Sequence, residues 1–213
     1  MTDRRREFYS ALEAHGSQFG VRLEEATRVR LADYFELVEH WNPRLHLVAP
    51  CSPNEFAVRH VLESLFALEH LPQSANVIDV GSGAGLPIVP CLVARGGLRA
   101  TLFEASTKKS IFLREAIAAL KLRDVARVVN SRFENADAPD AGALTCRALE
   151  RFSEMLPRLF EWSPKRARLL LFGGASVREE IERAALSYEA FQIPLSERRF
   201  LFIAQRSTQH VVS

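Results

Sequence analysis

Val77-Ile78-Asp79-Val80-Gly81-Ser82-Gly83-Ala84-Gly85-Leu86-Pro87 is the stretch that decides the fold. An apolar run of strand length ends in three alternating glycines, and Pro87 follows where the first residue of a helix is expected. Glycine carries no Cβ, so such a turn can reverse sharply and bring backbone close to a ligand. Strand, glycine turn and helix start together open a βαβ unit.

Downstream of the turn, β-rich runs alternate with helical ones. Residues 76–80, 99–104, 126–130, 143–147 and 168–172 read as strands, and helices are expected near 87–95, 107–121, 152–162 and 177–186. That alternation predicts a parallel sheet with crossover helices. Two further extended runs, 190–195 and 199–205, have no helix between them and suit an antiparallel hairpin at the sheet edge. The expectation for residues 73–213 is an α/β core on a mostly parallel, seven-stranded sheet. Upstream, residues 4–71 are helical in pattern: Leu31, Tyr34, Phe35, Val38 and Trp41 form one apolar stripe, and Phe56, Val61, Leu62, Leu65 and Phe66 another. Between the stripes, the prolines of segment 42–50 predict a turn, and Ser52-Pro53-Asn54 the start of the next helix. Residues 1–72 are therefore expected to be a helical extension packed on the core, divided from it at Leu71-Pro72-Gln73-Ser74.

A dinucleotide fingerprint would read G-x-G-x-x-G, with backbone amides facing a pyrophosphate. Here Leu86 stands in place of the third glycine, and the pattern Gly81, Gly83, Gly85 suits S-adenosylmethionine, which has no phosphate to bind. An acidic residue about 20 positions beyond such a turn can accept hydrogen bonds from ribose hydroxyls, and Glu104 closes the second expected strand. After the third strand, Phe133 and Glu134 could face an adenine or belong to a surface loop. Arg147 ends the fourth strand, where ligands of open α/β sheets bind, and could hold an anion or cap strand-end carbonyls.

The rest of the chain bounds the possibilities. At 213 residues and 47% hydrophobic, it fits one domain plus an extension. No apolar run approaches the ~18 residues of a membrane span, and the charged start Met1-Thr2-Asp3-Arg4-Arg5-Arg6 leads into no apolar segment. Cys51, Cys91 and Cys146 are odd in number and widely spaced, which disfavours a disulfide framework and fits a reducing cytoplasm. His15, His40, His46, His60, His70 and His210 form no ligand cluster, so no metal is expected, and His60 reads as a helix-packing residue. There is no G-x-S-x-G elbow and no phosphate-binding G-x-x-x-x-G-K-[ST] loop. The net charge is only +2, but basic runs at Arg4-Arg5-Arg6, Lys108-Lys109, Lys165-Arg166-Ala167-Arg168 and Arg198-Arg199 permit an RNA partner.

Several segments in order resemble one family, the bacterial 16S ribosomal RNA guanine-N7 methyltransferases, also called methyltransferase G or glucose-inhibited division protein B. They are His40-Trp41-Asn42, Asn54-Glu55, Val58-Arg59-His60-Val61-Leu62-Glu63-Ser64, the turn from Asp79 to Pro87, Lys108-Lys109 with Phe112-Leu113-Arg114, Ser131-Arg132 with Glu134, and Arg147-Ala148. The resemblance runs from about His40 to Gly174. It implies a Rossmann-like class I methyltransferase using S-adenosyl-L-methionine, with Gly81, Leu86, the Phe133-Glu134 pair and Arg147 at cofactor-contact positions and Glu104 as the ribose-binding acid. It implies a guanine of 16S rRNA, free or in the small ribosomal subunit, as acceptor, and we expect a cytoplasmic monomer with no membrane partner. The chain departs from the family pattern at His46-Leu47-Val48, at Ile88, and at Phe172-Gly173-Gly174, where the family has a Lys-Gly pair.

Guanine N7 carries an in-plane lone pair and no proton, so methylation there requires alignment and no general base. No catalytic acid–base pair is expected, and Arg147 is a possible substrate or cofactor contact. Loss of the family lysine near Phe172 predicts a shifted RNA contact set, with Trp41 expected to pack in the core. Two other readings remain: a methyltransferase acting on a small molecule or protein, and a module that binds the cofactor without catalysis. An NAD-dependent oxidoreductase is disfavoured by Leu86.

Overall fold

A computed structural model describes residues 2–147 and 152–206; Ala148 and His210, named above, lie outside that range. The helices of the first part are α1 (Asp3–His15), α2 (Glu25–Leu45), α3 (Pro53–Phe56) and α4 (Glu63–Phe66), with a π-helical turn at Ala57–Leu62 between the last two. Then come β1 (Ala75–Val80), α5 (Ile88–Ala94), β2 (Leu98–Phe103), α6 (Thr107–Ala119), β3 (Ala126–Val129), β4 (Ala143–Arg147), α7 (Phe152–Trp162), β5 (Arg168–Gly173), α8 (Ala175–Arg183), β6 (Ser187–Gln192) and β7 (Phe200–Gln205). The seven strands form one sheet in the order β3-β2-β1-β4-β5-β7-β6. β1 to β5 pair in parallel, whereas β7 runs antiparallel to both β5 and β6.

Successive strand side chains point to opposite faces, so each strand serves two cores. In β1, Val77 enters the core beneath α2, α5 and α6, and Ile78 and Val80 enter the core beneath α7 and α8. The first core also takes the amino-terminal helices: the rings of Phe8, Phe35 and Phe56 meet within 4.6–6.1 Å. Both predicted stripes lie against it, with Trp41 and Phe66 at its margin. Fully burying one such aromatic side chain stabilises the fold by about 2–3 kcal/mol, so the helical part and the sheet share one apolar interior.

Three boundaries differ from expectation. The chain does not turn at Asn42-Pro43: α2 runs on through Pro43, which costs only one amide donor in the exposed last turn, and ends where His46 adopts φ 48°. Helix α5 begins at Ile88, with Pro87 as its N-cap residue. The first arm of the edge hairpin is Ser187–Gln192, not 190–195, because Pro194 has no amide to donate to the ladder and Leu195 turns at φ 59°.

The basic run at the amino terminus holds helices together. Arg5 pairs with Asp33 at 2.6 Å and Glu36 at 2.5 Å, and Arg4 pairs with Glu39, joining α1 to α2. No described helix is long and apolar enough to cross a membrane.

Candidate functional site

β1 lies between β2 and β4, so the connections leaving its carboxyl end and that of β4 diverge to opposite sides of the sheet, the place where open α/β sheets bind ligands. A cavity of about 730 Å³ opens there. Its sheet-side wall is the glycine turn. Gly81 (φ 70°), Gly83 (φ 52°) and Gly85 (φ 89°) all occupy the left-handed region that glycine enters freely. Gly81 and Ser82 donate backbone hydrogen bonds to the Phe103 carbonyl, at 3.0 and 3.2 Å, fastening the turn to the end of β2.

Glu104 is the hinge of this wall. Its Oε2 accepts from the Gly83 amide at 2.8 Å and its Oε1 from the Ser106 amide at 2.7 Å, so one carboxylate ties the glycine turn to the start of α6. Each carboxylate oxygen has a second acceptor site. The side chain lines the cavity.

Under the turn, Asp79 is buried, with Thr145 donating to its Oδ1 at 2.6 Å and no partner for Oδ2 among the described residues. Burial pushes the Asp79 carboxyl up to about 7, opposed by hydrogen bonds from Ser82 and Thr145. From the helical side, the Tyr34 hydroxyl donates to the Ala84 carbonyl at 2.7 Å, a direct link from α2 to the turn.

Of the eight residues predicted to form the site, seven line one cavity: Gly81, Gly83, Leu86, Glu104, Phe133, Glu134 and Arg147. Gly85 is not among its lining residues. A Cβ on Gly85 would sit 2.6 Å from Val89 Cγ2 and 3.3 Å from Leu113 Cδ2, so its glycine answers to packing of the turn against α5 and α6. Phe133 is buried edge-on to Trp162, and Glu134 lies 3.9 Å from Arg158.

Arg147 does not cap carbonyls of its own strand end. Its guanidinium donates to the Arg59 carbonyl at 2.6 Å and to Glu63 at 3.1 Å, and lies 5.7 Å from the centre of the Phe172 ring. Phe172, where the family has its lysine, is thus a buried packing residue beneath Arg147 and does not line the cavity. Gly173 is fixed by packing as well, since a Cβ there would approach Val177 Cγ2 to 2.1 Å. His46 ends α2 and Ile88 is fully buried in α5. Trp41 packs edge-on against Phe112 and donates to Glu115 at 3.1 Å.

The sequence reading missed the opposite wall. His60 lines the cavity from the π-helical turn, and burial together with the guanidinium groups of Arg147, Arg59 and Arg199 pushes its imidazole down to about 3. Leu47, Val48 and Ala49 line it from the loop after α2. That loop is shaped by Asn42, whose side-chain amide donates to the Val48 carbonyl at 3.0 Å and accepts from the Val48 amide at 2.9 Å. The signal was the Asn42 of the tryptophan segment, which reads as a turn residue and is a clamp six positions long. Lys109 and Arg132 add positive charge to the lining.

Comparison with known proteins gives the class first. A ribosomal protein L11 methylase from Lactobacillus delbrueckii subsp. bulgaricus superposes with a TM-score of 0.56 over 70% of this chain and 79% of that one, at 13% identity. The fold is that of the Rossmann-like methyltransferases. The model of the family described as rRNA small subunit methyltransferase G matches residues 28–209. Proteins named ribosomal RNA small subunit methyltransferase G are 34% identical in Neisseria meningitidis serogroup A, over 76% of this chain and 75% of that protein, and 34% identical in Anaeromyxobacter dehalogenans, over 84% and 82%. The chain belongs to the rRNA small subunit methyltransferase G family and is an S-adenosylmethionine-dependent methyltransferase.

Proposed function

We propose that the protein transfers a methyl group from S-adenosylmethionine to N7 of a guanine in 16S rRNA, acting as a cytoplasmic monomer. The observation that carries the donor half is Glu104: a buried carboxylate bonded to the glycine turn, lining a cavity at the carboxyl ends of β1 and β2. The residues fit the donor. Gly81 and Gly83 present backbone without side chains, Glu104 offers free acceptor sites to ribose hydroxyls, and Phe133 gives the cavity an aromatic face beside Glu134. Arg147 offers a cation for the carboxylate of the amino-acid part.

S-adenosylmethionine supplies, when bound, an electrophilic methyl on a positively charged sulfur. The protein's work is then to align the acceptor and exclude water. No residue needs to remove a proton from the acceptor. Asp79 is sealed beneath the turn, and His60 stays neutral at physiological pH. Lys109 and Arg132 suit contact with RNA phosphates, a sequence-independent positioning role.

The family relationship supports the acceptor half. Incubating the protein with S-adenosylmethionine and under-methylated small subunits or their rRNA, then mapping N7-methylguanine by mass spectrometry, tests it. One modified guanine in 16S rRNA is expected, and an unmodified 16S rRNA would sink the reading.

A further inference from the structure

Arg198-Arg199 is a basic run that the cavity does not use directly. Arg199 stands just before β7 and does not line the cavity, yet its guanidinium reaches the Glu63 carboxylate at 2.5 Å. The same carboxylate holds Arg147 at 3.1 Å. Glu63 comes from the start of α4 and is 1% exposed. One buried anion therefore serves two cations drawn from the ends of two different strands.

That stoichiometry leaves positive charge over. Two guanidinium groups against one carboxylate are in surplus by one, and the Arg59 side chain adds further positive potential. A guanidinium short of counter-charge favours the arrival of an anion beside it. Arg147 is the member of the cluster that lines the cavity, so the surplus is presented there. Its guanidinium is also fixed in place, by the Arg59 carbonyl, by Glu63 and by the Phe172 ring below it. A planar cation with five donors, held on its outer side and deficient in anions, is built to receive a carboxylate.

We propose that Glu63 and Arg199 are positioning residues for the carboxylate of the methyl donor: Glu63 pins the Arg147 guanidinium at the cavity wall, and Arg199 supplies the surplus charge that makes this wall a carboxylate receptor. The inference rests on the donor reading of the cavity given above, and is independent of which base accepts the methyl. It gives the Arg198-Arg199 run a role distant from RNA.

Calorimetric titration of the full chain with S-adenosylmethionine and with 5′-methylthioadenosine tests it, since the second ligand keeps the nucleoside and sulfur but lacks the amino-acid carboxylate. Arg199→Gln should weaken S-adenosylmethionine binding about tenfold and leave 5′-methylthioadenosine within about twofold. Arg199→Lys, which keeps the charge, should recover most of the loss. Glu63→Gln, with one acceptor oxygen left for two guanidinium groups, should weaken S-adenosylmethionine by a larger factor with the same selectivity. In an Arg147→Gln background, Arg199→Gln should cost clearly less than the roughly tenfold it costs in the unsubstituted protein, because the surplus over Glu63 is already lost with Arg147. Equal losses for both ligands, full additivity with Arg147→Gln, or no change in S-adenosylmethionine affinity would each overturn the proposal. An unsubstituted protein that binds neither ligand defeats the donor reading and this proposal together; normal donor binding without methyl transfer to 16S rRNA counts against the acceptor alone.

Discussion

On the sheet side of the cavity, the contact that matters most joins residues 21 apart, the Gly83 amide and the Glu104 carboxylate; on the helical side, Arg147 reaches back 84 to 88 residues to Glu63 and Arg59. The first wall is made of backbone bent by glycine and fixed by strand-end hydrogen bonds. The second is made of side chains, held where helices and strand ends converge. The difference is one of mechanism: the sheet wall depends on left-handed backbone that glycine enters freely, whereas the helical wall depends on charge balance and a few polar bonds.

The largest expected effect falls behind the sheet wall, at the glycine that packs the turn against α5 and α6. Gly85→Ala forces a side chain onto a left-handed backbone and against Val89, and should cost about 3 kcal/mol in denaturant unfolding. A loss below about 1 kcal/mol would mean that this turn is more yielding than its geometry. Next is the pH response of Asp79. Its folded carboxyl keeps a proton up to about 7, while the unfolded chain releases it at an ordinary carboxyl value. This contribution to stability is therefore present at acid pH and is lost as pH rises through about 7. Asp79→Asn removes that slope, so its stability relative to the unsubstituted protein should improve between pH 5 and pH 8, by on the order of 3 kcal/mol. A constant difference across that range would contradict the buried neutral acid.

Glu104→Gln separates shape from charge on the same wall. The amide can still accept from Gly83 or Ser106 but not from both, and donor affinity should fall about 30-fold, read by calorimetry. Smallest is the bond between the two regions. Tyr34→Phe deletes only the hydroxyl that α2 places on the Ala84 carbonyl, and should cost about 1 kcal/mol of stability with a few-fold loss of donor affinity. If Tyr34→Phe hurt binding as much as Glu104→Gln, the helical part would be shaping the donor site rather than bracing it.

The same contrast decides what could be read from sequence. Strands β1, β2 and β4 and the Gly81–Gly83–Glu104 arrangement were legible because short β-rich apolar runs, glycines and an acid at fixed spacing are local facts. Both apolar stripes of the helical part were legible for the same reason. Pro43 misled, since a proline in the exposed last turn of α2 removes one donor without breaking the helix. Gly85 lies in the right motif yet serves packing, a distinction that depends on Val89 and Leu113 in three dimensions. His60, Glu63 and Arg199 carried no site spacing at all, for they meet only when α4, β4 and the approach to β7 converge.

Trp162 at the end of α7 gives this cavity a voice. Its indole donates to the Ala136 carbonyl at 2.6 Å and sits edge-on to Phe103 at 5.2 Å and Phe133 at 5.3 Å, both of which line the cavity. The chain has only two tryptophans, so Trp41→Phe leaves a single tryptophan, one ring away from the cavity. Titrating S-adenosylmethionine into that variant should change its emission saturably, turning an interior aromatic contact into an optical gauge of occupancy that needs neither RNA nor label.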